Sequence, residues 1–174
     1  ELLLHCHYLV AVDDAKLGMP EVTLPVVPGM EGCHWPFRKT EAEKWPMLFA
    51  LLLSGRQVSA PEATGWLIDF AGPIEDALKT AWSIAKGGDH GLAKRPVQEG
   101  ALTGMPSEVS GLPPADSPAS EDARVAIMKC IQESCGASLE DAVSIQAKHS
   151  ADFMVTKACK GGVVGAEFTK TMAV

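Results

Sequence analysis

Two glutamates near the beginning of the sequence are candidates for acid–base chemistry. Glu1 opens an apolar stretch, and Glu21 follows Pro20 inside an apolar run that predicts a strand. A glutamate taken alone is most often a solvated surface group, and that interpretation stays open for both. Two carboxyls in one dry pocket can instead share proton transfers, because proximity and the loss of water push their proton affinities apart. Glu1 and Glu21 are therefore a candidate general acid–base pair.

Histidines and cysteines form a second cluster in the sequence, at residues 5–7 (His-Cys-His) and 33–34 (Cys-His). Both residue types bind zinc, but the paired spacings typical of zinc sites do not occur here, which favours partly buried structural histidines. Cys130 and Cys135 lie about a turn and a half apart on a predicted helix, which favours buried free thiols over a redox pair. We therefore predict no metal site.

Composition and charge restrict the class of protein. The chain has 174 residues, 47% of them apolar and 21% charged, as in a globular domain with a core. A net charge of −7 argues against binding to nucleic acid, whose phosphates need a basic face. No apolar run reaches the roughly 18 residues of a membrane span. The five scattered cysteines favour a reducing, cytoplasmic compartment.

The hydrophobic pattern predicts short strands and helices, followed by a helical region. Residues 1–7 suit a buried helix end. We expect strands at 8–12, within 17–27 and at 67–70. Helices are expected at 46–53, 59–63, 73–86, 120–135, 138–160 and 166–172, with Ser59 as one N-cap and the glycines at 161–162 ending the helix that starts at 138. The glycine- and proline-rich residues 87–119 predict a long loop or linker.

Two stretches match one family in order and spacing. Residues 1–22 are E-L-L-L-H-C-H-Y-L-V-A-V-D-D-A-K-L-G-M-P-E-V, followed by P-G at 28–29. Residues 51–69 contain L-L-L-S-G, then V-S-A-P-E-A, then L-I-D. Over residues 1–86 the sequence resembles the crotonase superfamily, also called the enoyl-CoA hydratase/isomerase family.

The resemblance implies an α/β fold of repeated ββα turns wound into a spiral, followed by helices that assemble trimers. Residues 1–86 would be the C-terminal part of the crotonase-like core, 87–119 a linker and 120–174 the helical trimerisation region of a homotrimer or hexamer. Because the chain starts with a charged residue inside a structured segment, we expect it to be part of a longer protein. The family's glycine-rich loop would precede Glu1 and supply two backbone N–H groups that stabilise a thioester enolate.

The resemblance also implies an activity, the addition of water to a 2-enoyl-CoA. Glu1 would be the base that activates water, and Glu21 would donate a proton to the carbon next to the thioester carbonyl. Coenzyme A would arrive as part of the acyl-CoA substrate, so no separate cofactor is expected.

The resemblance and the apolar side chains near the two glutamates also indicate substrate-binding residues. These are Met19, Pro20, Gly29 and Trp35, with Phe37 as a further option if it is not plain core. Gly29 belongs to the Pro-Gly loop that, in the family, shapes the acyl pocket and offers an N–H to the catalytic water. Glu31 replaces a usual glycine and His7 a usual aspartate, so the acyl group stays open and a bulky, cyclic or aromatic one is an option.

Other functions stay open. An isomerase or hydrolase of the same superfamily shares the enolate strategy, and an isomerase needs only Glu21. A third option is a non-catalytic subunit that binds CoA or holds an assembly together. Lys148, Lys157 and Lys160 either solvate a helix face or meet a CoA phosphate of a neighbouring subunit.

Overall fold

The computed structural model describes residues 1–164, which form short strands and helices. The strands are β1 (Val10–Val12), β2 (Lys16–Gly18), β3 (Gln57–Ser59) and β4 (Phe70–Gly72). The helices are α1 (Trp35–Lys39), α2 (Trp45–Ser54), α3 (Ala60–Ala63), α4 (Ile74–Ala85), α5 (Pro118–Cys135), α6 (Leu139–Met154) and α7 (Lys157–Val164). Short 3₁₀ turns span Leu2–His5, Pro20–Thr23 and Ala42–Lys44. Among the described residues, no helix has both the length and the apolar character needed to cross a membrane.

Two strand pairs connect the beginning of the chain to the segment after α2. β1 and β4 pair in parallel with Val10 opposite Phe70. β2 and β3 pair antiparallel with Lys16 opposite Ser59. A parallel pair needs a long crossover connection, and here the crossover contains α1, α2 and α3. The pairings place the segment that carries both candidate glutamates against residues 57–72.

The second predicted strand is shorter than expected. We expected a strand within residues 17–27, interrupted by Pro20 and Pro25, but β2 ends at Gly18 and Pro20–Thr23 form a 3₁₀ turn, so no strand follows Pro20 within this range. Pro20 starts this turn, where its fixed φ suits a helical start and its missing N–H leaves no bond unmade. The turn carries Glu21 away from the sheet. The strand expected at 67–70 begins only at Phe70, whereas the strand expected at 8–12 is confirmed as β1.

The signals for helix ends near α2 and α3 are confirmed. Gly55 follows α2 with a φ of 66°, the left-handed conformation that commonly ends helices. The Ser59 hydroxyl accepts a hydrogen bond from the Glu62 N–H and caps α3. Most of α2 is buried and forms the centre of the core, with Trp45, Leu48, Phe49, Leu51, Leu52 and Leu53.

Two predicted apolar faces are uncovered in the described chain. Leu2 and Leu3 are 66% and 65% exposed, so only Leu4 fits the expectation of a buried helix end at residues 1–7. The helix predicted at 73–86 is α4, yet Ile74 and Leu78 on its apolar face are 62% and 64% exposed. Sequence periodicity thus predicted the helix but not what packs against it.

The C-terminal part is helical with one break more than predicted. α5 matches the helix expected at 120–135. The helix expected at 138–160 is divided into α6 and α7, because the Thr156 hydroxyl accepts from the Cys159 N–H and starts a new helix. α7 continues through residues 161–162, so the prediction that these glycines end the helix was wrong. The helix expected at 166–172 lies outside the described residues.

One buried arginine ties the long loop to the C-terminal helices. Arg38 on α1 is fully buried. Its guanidinium donates to the carbonyl oxygens of Gln98 (2.9 Å), Gly100 (2.7 Å), Ser134 (2.9 Å) and Ala137 (2.9 Å). Residues 86–117 form neither helix nor strand, as the composition predicted, yet Arg38 holds the middle of this segment against the core.

We predict that Arg38→Lys lowers the free energy of unfolding by about 2–4 kcal/mol, since a single ammonium cannot reach four carbonyl oxygens in two segments and buried acceptors lose their donors. Urea unfolding of the complete protein measures this loss. The matched control is Arg56→Lys, because Arg56 is exposed and bonds the Glu62 carboxylate at 2.6 Å; its expected change is below about 0.5 kcal/mol. Equal losses in both variants would contradict the assignment.

Candidate active site

The Glu1 carboxylate is held by the backbone of a distant loop. Its Oε1 atom accepts hydrogen bonds from the Met30 N–H at 3.0 Å and from the Gly32 N–H at 2.7 Å. Hydrogen bonds to an ionised carboxylate are among the strong ones in proteins. Within the described chain Oε2 has no hydrogen-bond partner, so this second oxygen is available for other chemistry.

The loop that holds Glu1 has a special backbone conformation. Glu31 has a φ of 70°, and it is the one non-glycine residue with a positive φ in the part of the chain that the structure describes. A left-handed conformation costs a non-glycine residue about 1–2 kcal/mol. The sequence had singled out this position because the family usually has glycine there. At Gly32 the available space matters instead, since a Cβ atom on it would lie 2.6 Å from the Glu1 Oε1 atom and would displace the carboxylate from its present position.

Glu21 has the opposite surroundings. Its Oε2 atom is buried, and no donor within residues 1–164 bonds it. Burial raises the pKa of Glu21 above its usual value, a hydrogen bond from its own backbone lowers it, and the charge of nearby Glu1 raises it again. The 3₁₀ turn that starts at Pro20 brings this side chain into the electrostatic range of Glu1. The two candidate acid–base groups therefore lie in one region, within electrostatic range of each other.

The predicted binding residues do not all lie together. A groove of about 490 Å³ adjoins the Glu1 loop, and Gly29 is one of its walls. Its lining consists of Leu2, His5, Gly29, Met30, Glu31, Val143, Gln146 and Ala147. Met19 is buried, Pro20 is exposed beside Glu21, and neither contributes to this lining.

The aromatic residues considered for the pocket have structural contacts. The Trp35 ring stacks on His5 with a centroid distance of 4.2 Å, and its Nε1–H donates to the Leu4 carbonyl at 2.8 Å, so Trp35 supports the groove from behind His5. Phe37 is fully buried against Trp45 and Phe49. The interpretation of Phe37 as plain core is the one that fits.

Sequence reasoning missed two polar residues on α6. Gln146 and Ser150 are buried, and both bond the loop that holds Glu1. Their spacing of four residues puts them on one face of the helix, the same face as buried Ala142 and Phe153. Polar residues on the apolar side of an amphipathic helix were the available signal, because a buried amide or hydroxyl needs a partner.

The histidines and cysteines are not arranged as a metal site. Among residues 1–164, no group of three or more His, Cys, Asp or Glu side chains is placed to hold an ion. His34 is fully buried, and desolvation lowers its pKa to about 4, so the imidazole is neutral near pH 7. Cys130 and Cys135 are free and buried, and burial raises the pKa of Cys135 to about 12.

A second groove, of about 400 Å³, lies between α5 and α6, away from both glutamates. Its charged residues pair with one another: Glu133 contacts His149 at 2.8 Å and Lys129 at 3.8 Å, and Lys148 pairs with Asp152. Lys148, one of the lysines considered for a CoA phosphate, lines it, whereas none of the residues predicted for catalysis or acyl binding does. It is a surface feature of the helical region and not an extension of the glutamate site.

Two relatives are similar in sequence to parts of this chain. The human peroxisomal bifunctional enzyme is 32% identical over 155 residues, which is 82% of this chain and 19% of that protein. A probable enoyl-CoA hydratase of Rhizobium meliloti (strain 1021) is 38% identical over 90 residues, which is 49% of this chain and 34% of the hydratase. The chain thus spans less than two thirds of each relative. No protein-family model matches it.

A solved structure shows the same fold. The carnitinyl-CoA dehydratase from Mycobacterium avium 104 superposes with a TM-score of 0.56 at 17% identity, and the match covers 92% of this chain and 52% of the dehydratase. This likeness concerns the fold alone, whereas the named relatives share sequence. Since both agree with the motifs at residues 1–29 and 51–69, the chain belongs to the crotonase superfamily and has its α/β fold.

Proposed function

We propose that the complete protein adds water reversibly across the double bond of a 2-enoyl-CoA thioester, with Glu1 as base and Glu21 as acid. One observation carries the proposal: a carboxylate fixed by two backbone amides lies near a second carboxyl that is partly buried and whose pKa burial raises. A hydration needs one group that accepts a proton and another that delivers one. The hydratase names among the relatives support the same chemistry.

The proposed reaction balances with these two groups. The Glu1 Oε2 atom takes a proton from water while the water oxygen bonds to the β-carbon of the enoyl group. The electron pair of the double bond moves toward the thioester and forms an enolate. Glu21 then gives its proton to the α-carbon, and the two carboxyls return to their starting states when Glu1 loses and Glu21 regains a proton. Stabilisation of the enolate oxygen is assigned to the two backbone N–H groups of the glycine-rich loop that the family resemblance implies before Glu1.

The anchoring of Glu1 favours a hydratase over an isomerase of the same superfamily. An isomerase moves a proton within the substrate and needs one carboxyl, for which Glu21 would be sufficient. Two amides that orient a second carboxylate serve an enzyme that must also activate water. Assays of the complete protein distinguish this hydratase from three alternatives, which are an isomerase, a hydrolase and a non-catalytic CoA-binding subunit.

The remaining assignments are part of the same proposal. The substrate brings coenzyme A, and the two glutamates need no other cofactor. We assign residues 120–174 to an assembly region in a homotrimer or hexamer, because Met154 and Val155 at the end of α6 are 63% and 69% exposed. A cytoplasmic location stays a prediction from the cysteine usage.

We predict that Glu1→Gln lowers kcat for hydration of crotonyl-CoA by about 100- to 10,000-fold, because the amide oxygen still accepts the two backbone hydrogen bonds but cannot take a proton from water. Loss of the enoyl-thioester absorbance measures the rate. Glu43→Gln is the control, since Glu43 is an exposed glutamate outside the site, and it should retain wild-type activity.

Three results would contradict the hydratase. Full hydration by the Glu1→Gln variant would remove Glu1 from the mechanism. Retention of double-bond migration without hydration in the wild type would indicate an isomerase. Binding of acyl-CoA with no turnover of any thioester would indicate a non-catalytic subunit.

We predict that Glu21→Gln lowers the rate of hydration and raises the stability of the folded protein at neutral pH. Because the pKa of Glu21 is raised above 4.5 in the folded protein, the folded state keeps a proton that the unfolded chain releases as the pH rises between 4.5 and the folded pKa. Wild-type stability therefore falls across that window. We expect the variant to be more stable than the wild type at about pH 7, to lose this advantage below about pH 4, and to hydrate at least about 100-fold more slowly. Thermal unfolding across pH measures the difference, and a constant difference at all pH values would contradict it.

A further inference from the structure

Gln146 joins the C-terminal helices to the loop that holds Glu1. Its side chain is 1% exposed. The Nε2 atom donates to the Pro28 carbonyl at 2.8 Å, and the Oε1 atom accepts from the Cys33 N–H at 2.9 Å. One turn later on α6, the Ser150 hydroxyl donates to the same Pro28 carbonyl at 2.7 Å. The nitrogen and the oxygen of the Gln146 amide thus both form hydrogen bonds to the same loop.

These bonds bracket the two amides that hold the carboxylate. Pro28 and Cys33 are the points that Gln146 fixes, and Met30 and Gly32 lie between them with their N–H groups on the Glu1 Oε1 atom. The same segment contains Glu31, whose left-handed backbone conformation must be held in place by its surroundings. Without Gln146, the Cys33 N–H would lose its hydrogen bond to α6.

An amide is the side chain that this position requires. A buried face of an amphipathic helix would ordinarily carry an apolar residue, since a buried polar group is unfavourable unless it is hydrogen bonded. Gln146 offers a donor and an acceptor on one planar group, and the loop presents a carbonyl and an N–H that match them. Packing alone would not need this chemistry.

We propose that Gln146 is a positioning residue for the acid–base reaction, acting through the loop of residues 28–33 on the Glu1 carboxylate. The inference rests on the proposed function. Misplacing a reacting group by about 1 Å can cost about 100-fold in rate, which is why a clamp far from the substrate chemistry matters. Gln146 is thereby a contact through which the helical region controls the geometry of the glutamate site, and it bonds both ends of the loop.

The experiment compares three variants of the complete protein. Gln146→Leu removes both bonds at nearly constant volume. Gln146→Glu keeps the acceptor for the Cys33 N–H but, when ionised, cannot donate to Pro28. Gln132→Leu is the matched control, because Gln132 on α5 donates to the Pro106 and Ser107 carbonyls at 3.1 and 2.9 Å and does not contact the Glu1 loop.

Hydration kinetics and backbone hydrogen exchange are measured on the folded fraction of each variant. We expect Gln146→Leu to lower kcat at least about tenfold with KM within about threefold, since positioning acts on the reaction more than on binding. The Met30 and Gly32 amides should exchange faster in the same variant. Gln146→Glu should recover part of the kcat, and Gln132→Leu should leave both kcat and the exchange of these amides unchanged.

Each contrary result has a separate meaning. Unchanged kcat and unchanged exchange at Met30 and Gly32 in Gln146→Leu would overturn the inference, as would an equal kcat loss in Gln132→Leu. If the wild type hydrates no enoyl-CoA, the proposed function fails. The exchange rates of the two amides then still decide whether Gln146 orders the loop: unchanged rates reject the clamp, and faster rates retain it.

Discussion

The candidate site depends on two backbone N–H groups that point at one carboxylate oxygen. Met30 and Gly32 donate to Glu1 across about thirty positions of sequence, so the carboxylate is held by main chain that has few ways to relax. A side chain at Gly32 would enter the space of the carboxylate and displace it from these donors. Glu31 adopts a left-handed conformation so that its neighbours can both face Glu1.

The loop holds this shape because buried polar groups elsewhere are satisfied. Gln146 and Ser150 donate hydrogen bonds to the Pro28 carbonyl, and Gln146 also accepts one from the Cys33 N–H. Arg38 likewise joins the segment of residues 86–117 to the end of α5, because its guanidinium donates to four carbonyl oxygens in these two places. A buried donor or acceptor left alone costs free energy, so these contacts fix the arrangement of the segments as well as stabilising it. Site geometry and the packing of the C-terminal helices are therefore linked.

The difference between the two glutamates arises from their surroundings and not from their type. Glu1 receives two donors, whereas Glu21 has a buried oxygen with no donor in the described chain and a raised pKa caused first by burial. Such an unsatisfied group lowers the stability of the folded state at neutral pH. Functional sites commonly retain unfavourable features of this kind, and here the feature matches the role proposed for an acid.

The sequence by itself determined the family and most of the helices and indicated the two candidate glutamates, because these depend on local patterns: motif order, apolar periodicity, Ser59 as a cap and Gly55 as a stop. It also indicated that position 31 departs from glycine. Only the tertiary structure decided that β2 ends before Glu21 and that an amide on α6 holds the Glu1 loop. The physical reason is distance along the chain: contacts such as Cys33 with Gln146 join residues more than one hundred positions apart, and local propensity carries no information about them.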